Sequence, residues 1–184
     1  RRQPVTNKGT TLNTHSKLMD MLTGYAAAHQ HPVNIAVHLI GIPVIMLGVF
    51  IVLSAVDIEI NNFSFNLAQL AVAAMFVFYL TLDRIFALVF LVTAWPIAML
   101  AAWIAGHPTA PSFTIAAVAF FGGYLAQFIG HAVEKSAPVI LKHPVQANLA
   151  APFFTIVEIF KLLGLREALF NEVQERIAEL HKEQ

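Results

Sequence analysis

Cysteine is absent from the 184 residues. That excludes a disulfide framework, a thiolate nucleophile and a cysteine-ligated cluster, and leaves His, Asp, Glu and water as metal ligands. Charge is scarce as well. Only 12% of residues are charged, eleven Lys and Arg balance eleven Asp and Glu, and no basic tract is interleaved with aromatics. A soluble domain carries about 25% charged residues, and a nucleic-acid binder needs a basic footprint that is missing here. No apolar core follows Arg1-Arg2, so the N-terminus does not read as a secretory signal peptide, and the chain's own spans are expected to direct insertion.

What is present is apolar: 58% of residues are hydrophobic and the mean hydropathy is +0.69. The runs at 37–56, 67–82, 85–105 and 113–129 are predicted to be membrane spans, near the ~20 residues a bilayer core requires, with the second a little short. A polar loop at 57–66, the pair Asp83-Arg84 and the Gly/Pro-rich turn 106–112 separate them. Before the spans, 14–31 reads as an interfacial amphipathic helix capped near Thr14, with Leu18, Met21, Leu22 and Tyr25 at helical spacing. Pro32 disfavours a helical residue before it and suits the first turn of a new helix, so His29 and His38 are expected on different helices. Beyond the spans, Pro138, Pro144 and Pro152 punctuate a C-terminal surface segment, 139–184, in which 153–163 and 167–180 read as amphipathic helices. Residues 1–13 are expected to be flexible. The expectation is a single all-α domain: an integral membrane bundle of four transmembrane helices, with amphipathic N- and C-terminal helices on the cytoplasmic side.

Charge supplies an independent check on that count. In the four-span arrangement all eleven Lys and Arg fall on one side, the cytoplasmic one by the positive-inside rule. His29, His38, His131 and Glu134 then lie at the cytoplasmic ends of their helices, in either a bacterial inner membrane or the endoplasmic reticulum. His107 lies on the opposite side and is expected to be structural.

Polar groups at the mouth of an apolar bundle are costly unless they serve a purpose. Asn34 and His38 share one helix face, and His131 and Glu134, three apart, share another. Facing each other, with His29 arriving from the preceding helix, they make a candidate metal site. Imidazole with carboxylate suits Fe(II), Zn(II) or Mn(II). Asn34 and Gln127 are placed to orient a ligand or to hold a water or substrate oxygen. Glu158, on an apolar face with Phe153, Phe154, Ile156 and Phe160, is a candidate to anchor the tail or to hold a group in the site. His143 is the reserve ligand. His31 reads as a turn residue, and His15 and His181 as surface residues.

Two separated motifs also carry a resemblance. His29-x-x-Pro32-x-Asn34-x-x-x-His38 followed by Pro43, and Gln127-Phe-Ile-Gly-His131-x-x-Glu134-x-x-x-Pro138 followed by Gln146, Ala151-Pro-Phe153 and Glu158, resemble the membrane 2-hydroxy fatty acid dioxygenases of fungi and bacteria. The similarity runs from about Tyr25 to Leu165. It implies an Fe(II) enzyme that uses O2 to remove one carbon from a long-chain 2-hydroxy fatty acid, as in α-oxidation, with its substrate drawn from membrane lipid and no role for nucleic acid.

Two other classes compete. A desaturase, hydroxylase or zinc hydrolase uses similar ligands, but the boxes of adjacent histidines typical of membrane desaturases are absent; the metal that copurifies and O2 consumption separate these. A four-span transporter or scaffold predicts no bound metal and ionisable groups near the bilayer midplane, which these spans largely lack. A soluble all-α bundle is disfavoured because 85–129 contains no Asp, Glu, Lys or Arg.

Overall fold

In the computed structural model, which describes residues 17–26, 29–141 and 144–182, helices alternate with tight turns. Helix α1 covers 17–26 and buries Leu18, Met19 and Leu22. Of the rest of the expected first helix, 14–16 and 27–28 lie outside the described residues, and 29–31 are not helical, because Pro32 disfavours a helical residue before it. Helix α2 (Pro32–Leu53) starts at the proline itself, capped by His31, whose Nδ1 accepts from the Val33 N–H at 3.2 Å. A proline in the first turn sacrifices no helical hydrogen bond. The span expected at 37–56 is therefore shifted towards the N-terminus.

The segment expected as a polar loop is a hairpin. Strands β1 (Asp57–Ile60) and β2 (Phe63–Asn66) pair antiparallel, with Ile60 opposite Phe63. Alternating Ile58, Ile60, Phe63 and Phe65 supply the period of two, and Asn61, at φ 54°, tolerates the left-handed turn.

Helix α3 (Leu67–Leu80) starts at a reciprocal box in which Asn66 and Gln69 satisfy each other's backbone N–H. Its 14 residues reach about 21 Å, against a hydrocarbon core of about 30 Å. Helix α3 alone thus falls short of the span predicted at 67–82. Helix α4 (Arg84–Gly106) is capped by Asp83, which accepts from Ile85 and Phe86 N–H. Helix α5 (Ser112–Glu134) outruns the expected 113–129 and carries Gln127, His131 and Glu134 on one continuous rod. Among the described residues, α2, α4 and α5 are long and apolar enough to cross a membrane.

A fourth crossing is available if α6 (Pro144–Leu162) and α7 (Glu167–Lys182), bent by 110° at their junction, count as one. Helix α6 does not begin at Phe153 as expected; it runs through Pro152. An interior proline costs about 3 kcal/mol, and the complete burial of Phe153 and Phe154 beside it offsets that cost. The Tyr79 hydroxyl donates to the Leu149 carbonyl at 2.6 Å, and Arg166 pairs with Asp83 at 2.7 Å while lying over the Phe86 ring. These bonds hold α6 and the α6–α7 bend against the α3–α4 turn.

Helices α2 and α5 run antiparallel in close contact. A Cβ on Gly48 would meet the Ala116 carbonyl oxygen at 2.8 Å and the Phe120 nitrogen at 2.9 Å, and one on Gly123 would meet Ile45 at 2.5 Å. Small residues let the backbones touch, the usual device where lipid rather than water surrounds the helices. Gly48→Ala is expected to force the pair apart and destabilise the fold by about 1–3 kcal/mol, read as a lower thermal unfolding midpoint in detergent. Gly122→Ala, whose Cβ meets nothing within 4 Å, should leave the midpoint unchanged or raise it, because alanine favours helix by about 1 kcal/mol.

Candidate metal centre

Three histidines from three chain segments meet at one end of the bundle: His29 from the α1–α2 joint, His38 from α2 and His131 from α5. All three are buried, and one nitrogen from each lies within 4.8 Å of the others. The rings are mutually tilted, His29 to His38 by 76° and His38 to His131 by 87°, so their edges rather than their faces converge.

The hydrogen bonds fix which nitrogens face inward. His29 Nδ1 lies 3.0 Å from the Tyr25 carbonyl and His38 Nδ1 lies 2.9 Å from the Asn34 carbonyl. A carbonyl only accepts, so both Nδ1 atoms carry the proton and both Nε2 atoms present lone pairs. Those two Nε2 atoms are 3.3 Å apart. Two lone pairs at that separation repel unless a cation lies between them. Nitrogens bound to one ion at 2.0–2.1 Å sit about 2.8–3.4 Å apart, the range running from octahedral to tetrahedral angles, and the observed spacing falls inside it. Burial pushes the His29 imidazole down to about 4, against the opposing hydrogen bond to Tyr25, so the ring is neutral and its lone pair free at neutral pH. These three imidazoles could hold a metal ion. His131 completes the pattern through Ser136, whose hydroxyl lies 3.0 Å from its Nδ1.

Each ring is held by a local feature of the chain. His29 stacks on Tyr25 with centroids 3.8 Å apart, and Tyr25 in turn stacks on Phe154 of α6 at 3.7 Å. At the end of α5, Lys135 adopts the left-handed conformation at φ 58°, and the Ser136 N–H returns to the His131 carbonyl at 3.1 Å. This reversal, usually made by glycine, is what brings the Ser136 side chain to the His131 ring.

Glu134 faces α2 rather than the imidazole edges. Its Oε1 accepts from the Gln30 N–H at 2.5 Å and the His31 N–H at 3.0 Å, and its Oε2 accepts from the Asn34 amide. Asn34 is fully buried, and its Oδ1 has no hydrogen-bond partner among the described residues. A Cβ on Gly130 would sit 2.5 Å from that oxygen, so only glycine admits Asn34 here.

A cavity of about 530 Å³ opens from the three histidines, within the range of ligand pockets. Its walls are mostly apolar side chains of α1, α2, α3, α5 and α6, with Asp20 of α1 among the lining residues. Gln127 lines it, and its Nε2 is a buried donor without a partner. On the other side of His29 and His38, a space of about 10 Å³ is bordered by Tyr25 and Glu158, roughly the size of one water molecule. Glu158 is buried and 3.5 Å from Lys161. Burial, with Glu158 and Glu134 adding, raises the Tyr25 hydroxyl far above its ordinary range, so it stays protonated.

The structure therefore brings together His29, Asn34, His38, Gln127, His131, Glu134 and Glu158. His31 is the cap of α2, and His107 ends α4 with its Nδ1 3.1 Å from the Thr109 hydroxyl. The reserve ligand His143, like His15, lies outside the described residues. Sequence reading missed Tyr25 and Ser136 as ring holders, because a carbonyl and a lone serine five residues beyond a histidine leave no pattern.

Glu134→Gln replaces one accepting oxygen by a donor facing other donors. The expected result is a 10–100-fold weaker metal affinity, the usual effect of losing a group that orients ligands, with helix content retained by circular dichroism. Competition against a chelator of known affinity measures it; an unchanged affinity would show that the carboxylate does not hold the ligands in place.

The family described as "2-hydroxy-palmitic acid dioxygenase Mpo1-like" matches residues 15–163, a stretch that contains every one of these polar groups and stops before α7. No curated protein and no solved structure matches the chain. With its two polar motifs folded into one histidine-lined cavity, the chain belongs to the Mpo1-like family.

Proposed function

We propose that this protein is an Fe(II)-dependent dioxygenase of long-chain 2-hydroxy fatty acids. The observation that carries the reading is the pair of facing Nε2 lone pairs of His29 and His38, 3.3 Å apart at one end of an apolar cavity. His29, His38 and His131 would hold the ion, and its remaining positions are enough for a hydroxyl, a carboxylate and O2, with the bound iron supplying oxygen activation. The balanced reaction takes one 2-hydroxy acid and one O2 to the acid one carbon shorter, CO2 and water. The C1–C2 bond breaks, the substrate carbons give up four electrons, and O2 accepts them, so no separate reductant is needed.

The chain's own residues do the rest. The unpartnered Nε2 of Gln127 is a donor for a substrate oxygen, which desolvation makes stronger. Asn34 and Glu134 keep the α2 and α5 ligands in register. Glu158, across the small space behind His29 and His38, is placed to exchange a proton with a water there. The apolar walls take the acyl chain and exclude water from the reacting end. This end would face the cytoplasm, the side on which a four-span reading of the sequence puts all eleven basic residues.

Protein purified without oxygen and loaded with iron should consume one O2 per 2-hydroxy acid and release the shortened product. His38→Ala or His131→Ala is expected to lower kcat by at least about 1000-fold, as loss of a metal ligand does through both occupancy and geometry. Mass-spectrometric product analysis with an oxygen electrode checks this. Zinc at full occupancy with no O2 uptake would replace the oxidative reading by a hydrolytic one, because the same nitrogens suit zinc.

A further inference from the structure

The cavity has a direction. On α2 its lining runs His38, Ile42, Met46, Val49 and Phe50, one helix face; on antiparallel α5 it runs back from His131 to Phe120. The two helices measure its depth independently. His38 to Phe50 is about 18 Å and His131 to Phe120 about 16 Å at 1.5 Å per residue.

The far end is lined by apolar groups. Phe50 is 3% exposed and belongs to the main core, and Met75 of α3 packs against that core. Three polar side chains farther along the wall are already engaged: the Tyr124 hydroxyl donates to Asn148 Oδ1, Asn148 Nδ2 donates to the Pro144 carbonyl at 2.9 Å, and Asp20 of α1 accepts from Arg176. Beyond Gln127, then, the wall offers a chain mostly hydrocarbon, with the buried Phe50 at its far end.

We propose that Phe50, Met75 and Phe120 are the chain-length gauge of this cavity. An extended chain advances about 1.2 Å per bond, a third of the reach of a three-bond residue, so the measured depth takes about fourteen carbons beyond the one at the histidines and limits the acid to about sixteen. A core-packed phenylalanine does not yield without repacking its neighbours, so longer acids are rejected rather than weakly accommodated. The gauge rests on the acyl reading of the cavity given above.

The test uses the iron-loaded protein in one detergent with a homologous series of saturated 2-hydroxy acids bracketing the limit. Two readouts are taken: kcat/KM and the rise in thermal unfolding midpoint caused by each acid. The wild type should lose about tenfold or more in kcat/KM just beyond the limit, the penalty of overpacking. Met75→Ala should move the limit to longer acids. Met46→Phe, one turn nearer the histidines, should shorten it by about four to five carbons. A limit absent in the wild type, or unmoved by both variants, overturns the gauge. If the acids raise the midpoint with the expected limit but are not turned over, the gauge stands and the proposed reaction falls.

Discussion

One carboxylate joins the start of α2 to the end of α5. Glu134 accepts two backbone N–H groups from the residues before Pro32 and one side-chain N–H from Asn34. Those donors sit at a helix N-terminus, where the peptide dipoles favour negative charge. Without the carboxylate the amide of the fully buried Asn34 would be left unmatched, at roughly 1–3 kcal/mol, whereas the exposed Gln30 and His31 N–H groups would turn to water. Because the clamp reaches the α1–α2 joint, α2 and α5 together, it sets the relative positions of the three segments that carry His29, His38 and His131. Gly130 is its steric counterpart: the clamp closes only because no side chain stands between α5 and the Asn34 oxygen.

Given that clamp, the protonation pattern of the rings follows from what surrounds them. Carbonyls of Tyr25 and Asn34 take the Nδ1 protons of His29 and His38, and the lone pairs have nowhere to point except toward each other. The Phe154–Tyr25–His29 stack then orients one ring by contact with α6. This is why α6 must pass through Pro152 without breaking: its phenylalanines form the wall behind the site. The three histidines lie at one end of a cavity whose walls are otherwise mostly apolar, an arrangement that suits an amphiphile.

Much of this was legible beforehand. Pro32 announced that His29 and His38 belong to different elements, and the spacings 34/38 and 131/134 placed pairs on common faces. The apolar runs located α2, α4 and α5. The hairpin was missed because Asp57, Glu59 and three asparagines outweighed the alternation of Ile58, Ile60, Phe63 and Phe65, although that alternation is the strand signal. Pro152 was misread for a different reason: proline is a helix breaker on local grounds, and only the burial of Phe153 and Phe154 reverses the balance. The shortness of α3 follows from the Asn66 cap and the turn before Asp83, local stops within an apolar run.

Ligand identity divides along the same line. Residue types and periodicity by themselves determined an apolar helical bundle, the six polar residues His29, Asn34, His38, Gln127, His131 and Glu134 of its two motifs, and the absence of any cysteine ligand, because these depend only on composition and on the pitch of a helix. The direction in which Glu134 faces was decided by tertiary structure. A carboxylate three residues from a histidine shares its face in any helix, but whether it turns to a metal or to backbone amides depends on which amides a neighbouring segment brings within 3 Å. So was the lone-pair geometry of His29 and His38, since a tautomer is fixed by partners that only the folded chain supplies. The stretch from His29 to His38 contributes two of its three imidazoles to a site that exists only because α5 returns, nearly a hundred residues later, to close it.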